Sequence, residues 1–269
     1  MKKILDFIIY SNVFIALCCV AVTLQTAIIF NQSNSIYEYA IINFIATFIL
    51  YNLQRLYYSS KYDTNTKYVW YTKNRRLLFT IIVLLLLLSF NFLWAFFITN
   101  IKHLLIYSSL SIISILYFLP PIQLKKYGVL KPFLISFVFV TIAILIPLNF
   151  EVTHPILIYT LAQFFFISAL CVLFDIRDVE KDKLNKTNTI PLLLGLKKTK
   201  IIAIILFSSY LILNLFLQIS YLNFSIVLVF SLALIITVLS NVNRNNYFYL
   251  LVVDGLIITQ YLLIYFKNS

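Results

Sequence analysis

Nine stretches of this chain are continuous apolar runs separated by polar connections, at roughly 4–30, 36–58, 77–99, 103–119, 130–150, 155–175, 200–219, 222–241 and 247–266. A helix crossing a hydrocarbon core needs about 20 mostly apolar residues, and most of the runs are close to that length. They are unbroken rather than alternating, which favours helices over a membrane barrel. The rest of the composition agrees. The chain of 269 residues is 62% hydrophobic and 11% charged, against about 45–50% and about 25% in a soluble domain. It lacks the polar residues to cover a water-exposed surface. The expectation is an all-α integral membrane bundle of nine transmembrane helices, built as a single domain over 1–269. Met1-Lys2-Lys3 ahead of an apolar run could imitate a secretion signal. The run continues to Phe30 with no small-residue cleavage site, so it reads as a retained first helix.

The basic residues orient the bundle. With the N-terminus inside, 19 of the 21 lysines and arginines fall at inner connections, and only Lys102 and Lys267 fall outside. The positive-inside rule then gives N-in and C-out, with the active face on the cytoplasmic side of a multi-pass inner or plasma membrane protein. The formal charge of +12 is accounted for by this bias and gives no argument for a nucleic-acid partner. Two inner connections are long, about 59–76 and 176–199, and read as cap loops over a site. With only three glycines, the bundle must fill its interior with its 25 Phe and 19 Tyr. Cys18, Cys19 and Cys171 lie inside apolar runs and read as small buried hydrophobes. His103 and His154 sit alone, so no metal site is expected from cysteine or histidine.

The most informative stretch is Phe174-Asp175-Ile176-Arg177-Asp178-Val179-Glu180-Lys181-Asp182, where the sixth run ends. On a continuous helix at about 100° per residue, Asp175, Asp178 and Asp182 share a stripe about 60° wide, while Arg177 and Glu180 point elsewhere. Carboxylates on one stripe repel unless a cation neutralises them. Mg²⁺ takes oxygen ligands and commonly bridges carboxylates to substrate phosphates. The alternative is a solvated acidic helix end balanced by nearby lysines, and the spacing alone does not separate the two.

The residues that follow add to this. Asp182 is followed by Thr189-Ile190-Pro191 and then Leu194-Gly195. The whole stretch resembles the second aspartate-rich motif of the UbiA-type membrane prenyltransferases, in which a helix ends in D-x-x-D-x-x-x-D and a basic loop leads to Thr-Leu-Pro and Leu-Gly. Tyr117-Phe-Leu-Pro-Pro-Ile-Gln-Leu-Lys125-Lys126, with Leu130-Lys131-Pro132 after it, is similar to the family's loop after its fourth helix. The resemblance implies an enzyme that binds a prenyl diphosphate under a cytoplasmic cap, with Mg²⁺ as cofactor. It would pass the prenyl group to a hydrophobic acceptor, usually aromatic. It further implies that Asp175, Asp178 and Asp182 are Mg²⁺ ligands, that Lys125, Lys126 and Lys186 contact diphosphate, and that Tyr117 stands at the chamber rim. The lipid bilayer is the only other partner implied, and no protein partner is.

One motif departs from the pattern. The family's first motif, N-D-x-x-D-x-x-x-D, should end the second run. Here Asn52 is followed by Leu53, Leu56 and Ser60 where the carboxylates would stand. Asn52, Arg55 and Ser59 share the i, i+3, i+7 spacing of the three aspartates and form a polar stripe of their own. Arg55 would either contact diphosphate directly, as a bidentate cation in place of a metal, or pair with Asp175 or Asp178 in the resting fold. Asp254, midway through the ninth run, is a costly intramembrane carboxylate that would line the chamber or bond a neighbouring helix. Trp70 is expected in the first cap loop. Two rival readings accompany the transferase: a non-catalytic relative that binds an isoprenoid or lipid, and a small transporter. The transporter is disfavoured because Gly255 and Pro147 do not interrupt matching helices of two halves.

Overall fold

A computed structural model describes residues 2–32, 35–58, 66–119, 123–124, 127–217 and 220–268. The described residues are helical with short connections and contain no strand. The helices are α1 (Lys2–Tyr10), α2 (Val13–Phe30), α3 (Ile36–Tyr58), α4 (Thr66–Thr99), α5 (Ile101–Phe118), α6 (Lys131–Val140), α7 (His154–Arg177), α8 (Val179–Leu184), α9 (Ile190–Phe216), α10 (Ser220–Leu239) and α11 (Asp254–Asn268). Among the described residues, seven helices are long and apolar enough to cross a membrane, and Lys131–Leu145 and Asn223–Leu239 form two shorter apolar ones.

Local chemistry sets the boundaries. Asn12 takes a left-handed backbone (φ 63°) between α1 and α2, so the first apolar run is two helices rather than one. Asn31, also left-handed, caps the end of α2 by donating its N–H to the Ala27 carbonyl. Proline stands in the first turn of α6, α7 and α9, where its missing N–H costs nothing and its φ suits the helix. Helix α4 begins at Thr66, inside the stretch expected as a connection. Trp70 is therefore a helical residue, and it packs against Phe7, Tyr10 and Tyr71.

Helix α7 is the axis of the bundle. It is the most deeply buried of the long helices and lies against α6 and α9, while α2 packs between α3 and α11. Aromatic rings fill the gaps. Phe166 stacks with Tyr210 of α9 at 4.8 Å between ring centres, and Phe30 meets Tyr159 edge-on at 5.5 Å. Helix α6 runs into a π-helical segment, Thr141–Leu145, whose wider turn frees carbonyls from the usual ladder. Neighbouring helices satisfy them. Asn43 of α3 donates to the Ile142 carbonyl at 2.8 Å, and Thr26 of α2 reaches that of Ala143 at 3.4 Å. Asn43 also donates to Thr23 at 2.9 Å and accepts from the Tyr107 hydroxyl at 2.7 Å. One buried amide thus ties α2, α3, α5 and the π segment together. Asn43→Leu breaks three side-chain bonds at once. It is expected to lower the stability of the detergent-solubilised protein by about 1–2 kcal/mol, read as a drop in thermal midpoint.

Candidate functional site

The C-terminal end of α7 carries charge into a buried setting. Asp175 is fully buried on the last turn, where its neighbours Val172, Leu173 and Ile176 are also fully buried. Its Oδ1 accepts from the Lys131 ammonium at 2.5 Å, and Lys131 is the first residue of α6. The two helices are therefore clamped by an ion pair at the level of Asp175. Its other oxygen, Oδ2, is buried with no partner among the described residues.

The helix does not continue through the acidic motif. It stops at Asp178, whose φ of −90° and ψ of 6° separate α7 from the short α8. The single three-aspartate stripe on a continuous helix is corrected accordingly. The break also redirects Arg177, which was expected to face away. Its Nε and Nη2 donate to the two oxygens of Asp178, each at 2.8 Å, as a bidentate fork. Its guanidinium carbon lies 4.8 Å from the centre of the Phe174 ring and 5.9 Å from that of Tyr249, so two aromatic faces hold it in place. Its remaining amino group, Nη1, is buried with no partner among the described residues.

The carboxyls differ in character. Burial alone would push Asp178 up, but the Arg177 charge and its two hydrogen bonds, with Lys131 and Arg55 behind them, hold it well below the usual carboxylate range. Asp182 lies on α8 and is pushed up to about 6. Burial is the main cause; Lys131 opposes it, and the neighbouring Asp178 and Asp175 add to it. Its Oδ2 is also buried with no partner among the described residues.

The elements around this cluster bring in further candidates. Arg55, on the last turn of α3, lies close enough for its charge to act on both Asp178 and Arg177. Tyr117, near the end of α5, stands within electrostatic reach of Lys131, Asp175 and Asp182. Asp254 is buried at the junction between a π-helical segment (Phe248–Val253) and α11, within reach of Arg177. Asp175, Asp178, Asp182, Arg55, Tyr117 and Asp254 thus share one region.

Asn52 is placed otherwise. It is fully buried, and its amide is engaged by the fold. Its Nδ2 donates to the carbonyls of Ser11 at 2.9 Å and Phe48 at 2.7 Å, and its Oδ1 accepts from the Tyr71 hydroxyl and from Asn12 at 3.4 Å. That network pins the α1–α2 break to α3 and α4. Lys186 sits on the exposed turn after α8 with a left-handed backbone (φ 53°). Lys125, Lys126 and Ser59 lie outside the described residues.

Two connections meet over this region. Gly128, between α5 and α6, lies so close to the turn before α9 that a Cβ there would stand 2.5 Å from the Asn188 carbonyl oxygen and 2.7 Å from the Thr189 nitrogen. Only glycine permits that approach. Gly195 supplies a second special position. Its φ of 78° bends the start of α9 and sets Ile190–Leu194 at an angle to the rest of the helix.

Lys131 and Arg177 were missed as site residues. A lysine directly before a helix-initiating proline, close in sequence to a motif resemblance, was a signal for the first. For Arg177 no signal existed, because the helix break that turns it onto Asp178 is not written in the spacing.

Among the described residues, no group of three or more His, Cys, Asp and Glu side chains is arranged to hold a metal ion. The open, buried oxygens of Asp175 and Asp182 nevertheless suit a hard cation such as Mg²⁺, which needs only one or two protein carboxylates when substrate phosphates supply the rest. Asp178 does not fit that role in this arrangement, because Arg177 takes both of its oxygens.

A profile of the UbiA prenyltransferase family matches residues 72–248, well over half of the chain, and the protein belongs to that family. No curated protein and no solved structure matches the chain. It is an integral membrane protein of that family, whose members are generally prenyltransferases.

The raised Asp182 carboxyl has a testable consequence. An aspartate in the unfolded chain releases its proton near 3.8, and the folded one near 6. Between those values the folded state holds a proton that the unfolded state has lost. This group's contribution to stability is therefore complete below about pH 4 and is lost as the pH rises through about 6. Asp182→Asn is expected to flatten the decline in thermal midpoint over that window. An unchanged slope would mean that Asp182 is solvated.

Proposed function

We propose that this protein transfers the prenyl group of a prenyl diphosphate to a hydrophobic acceptor, aromatic or lipid-like, with the diphosphate bound at the end of α7. The observation that carries this reading is the pairing of buried carboxylates with Lys131, Arg177 and Arg55 in one place, with open polar atoms of both signs. A diphosphate needs positive charge as it leaves, and donors fixed before the reaction supply it without reorganisation. Arg177, held by Asp178 and two rings, is such a donor. The open oxygens of Asp175 and Asp182 are where Mg²⁺ would be held. When bound, the ion would screen the negative charge that grows on the leaving diphosphate. The phenyl and phenol rings of Phe174, Tyr117 and Tyr249 lie close by and would shield an allylic cation from water.

The rest of the reading places this face on the cytoplasmic side. It takes nine crossings with the N-terminus in and the C-terminus out, the two shorter apolar helices completing the count of seven long ones. The whole chain acts as one domain. The charge distribution supports this orientation, since the basic residues around α3, α6, α7 and α9 lie at the same end as the site.

The test is incubation of the purified protein with labelled farnesyl, geranylgeranyl and longer prenyl diphosphates, with and without Mg²⁺ and with a panel of aromatic acceptors. Diphosphate release is expected, and Asp175→Asn should reduce it by about 10²-fold or more. Binding of the diphosphates with no release against any acceptor would instead identify a non-catalytic isoprenoid-binding member. The engagement of the Asn52 amide within the fold favours that second reading, because it leaves the end of α3 with Arg55 as its charged group.

A further inference from the structure

Counter-ions built into the acidic motif limit how much added positive charge the site can accept. Asp175 is fully buried, yet one of its oxygens already carries the Lys131 ammonium. Both oxygens of Asp178 carry Arg177. Of the six carboxylate oxygens on the three aspartates, two are buried with no partner, Asp175 Oδ2 and Asp182 Oδ2. The donor side shows the complementary deficit. Arg177 Nη1 is a buried N–H group with no acceptor, on a side chain fixed by a fork and two rings. A buried donor left open is destabilising unless a ligand or water satisfies it. The end of α3 adds no carboxylate, since Asn52, Leu53, Arg55 and Leu56 stand there, and the positive field of Arg55 reaches Asp178.

We propose that Lys131 and Arg177 take the place of a second divalent ion, so that the site binds a prenyl diphosphate with a single divalent cation, held by Asp175 and Asp182, and with Arg177 Nη1 donating directly to the diphosphate. This rests on the prenyl-diphosphate reading and assigns its ionic stoichiometry. Two divalent ions beside Lys131, Arg177 and Arg55 would have two buried, open carboxylate oxygens between them. One divalent ion matches that pair. Arg177 is a better anchor than a lysine would be, because its planar fork serves Asp178 on one edge and still presents a donor on another. Asp178 spends its charge on orienting Arg177, so it is a positioning residue and not a metal ligand.

The experiment counts metal ions. The full-length protein in nanodiscs is titrated with Mn²⁺ in the presence of saturating geranyl, farnesyl or geranylgeranyl thiolodiphosphate, analogues that resist cleavage. Bound Mn²⁺ is read by electron paramagnetic resonance, and analogue binding by calorimetry. One Mn²⁺ per bound analogue is expected. Two per analogue, or analogue binding of equal strength with none, would overturn the proposal. In Arg177→Gln the analogue should bind at least about tenfold more weakly while Mn²⁺ still binds singly. In Lys131→Met the freed Asp175 oxygen should strengthen Mn²⁺ binding without analogue by about tenfold, and an unchanged affinity counts against Lys131 as a counter-ion. The wild-type count stands even if a variant fails to fold. Absence of binding by every analogue at any Mn²⁺ concentration would sink the prenyl-diphosphate reading itself, a result distinct from a count of two.

Discussion

Asp175 is a fully buried carboxylate on a helix made almost entirely of apolar residues, and much of the structure follows from having to keep it there. An isolated charge in such a place is prohibitively costly, and removing one partner from a buried pair typically costs about 3–5 kcal/mol. Lys131 supplies the partner at 2.5 Å, which requires the start of α6 to sit beside the end of α7. That requirement is met by two backbone devices. Pro132 in the first turn starts α6 at the right residue, and Gly128 lets the preceding turn touch the Asn188–Thr189 backbone. The same contact holds the α5–α6 connection against the turn between α8 and α9. A salt bridge of this kind is weak evidence for stability, since an apolar pair would hold the helices as well. Its retention points to the use of the charges, and the open atoms beside them say what kind of group would use them.

The break at Asp178 has equal weight. A continuous helix would set three carboxylates on one face with no cation among them. Helix α7 ends at Arg177, whose guanidinium takes both oxygens of Asp178, and the motif is divided into a neutralised part and an open part. The contrast shows in the acidity of the carboxyls. Asp178 is held low by Arg177 against the effect of burial, while burial and its neighbours push Asp182 up to about 6. Two carboxylates four residues apart are thus given different tasks by a single change of backbone direction.

Much of this was legible in the residues. The helical class and the membrane setting follow from hydropathy, which is a local pattern, and the Asp175-to-Asp182 spacing points to the end of the sixth apolar run as the place to look. What escaped depends on contacts distant in the chain. Asn52 looks like a site residue by spacing, yet its amide meets Ser11, Asn12 and Tyr71, residues 41, 40 and 19 positions away. Asn12 itself was hidden inside an apolar run, where a left-handed asparagine splits what reads as one helix. Trp70 and the first turns of α4 fell in a polar stretch that composition assigns to a connection, although tertiary contacts with α1 keep it helical. Polar residues in a membrane bundle are poor guides to function until their partners are known, since a satisfied amide and a substrate contact have the same sequence.

The central claim is that the end of α7 receives the diphosphate through Arg177 and the open oxygens of Asp175 and Asp182. The most direct measurement is a cryo-electron microscopy structure of the protein in nanodiscs with Mg²⁺ and an uncleavable prenyl thiolodiphosphate. The account predicts phosphate density within hydrogen-bond distance of Arg177 Nη1, beside one metal ion on Asp175 and Asp182. Phosphate density elsewhere, such as at Arg75 and Arg76 on the apolar groove of about 730 Å³ between α3, α4 and α5, would contradict it.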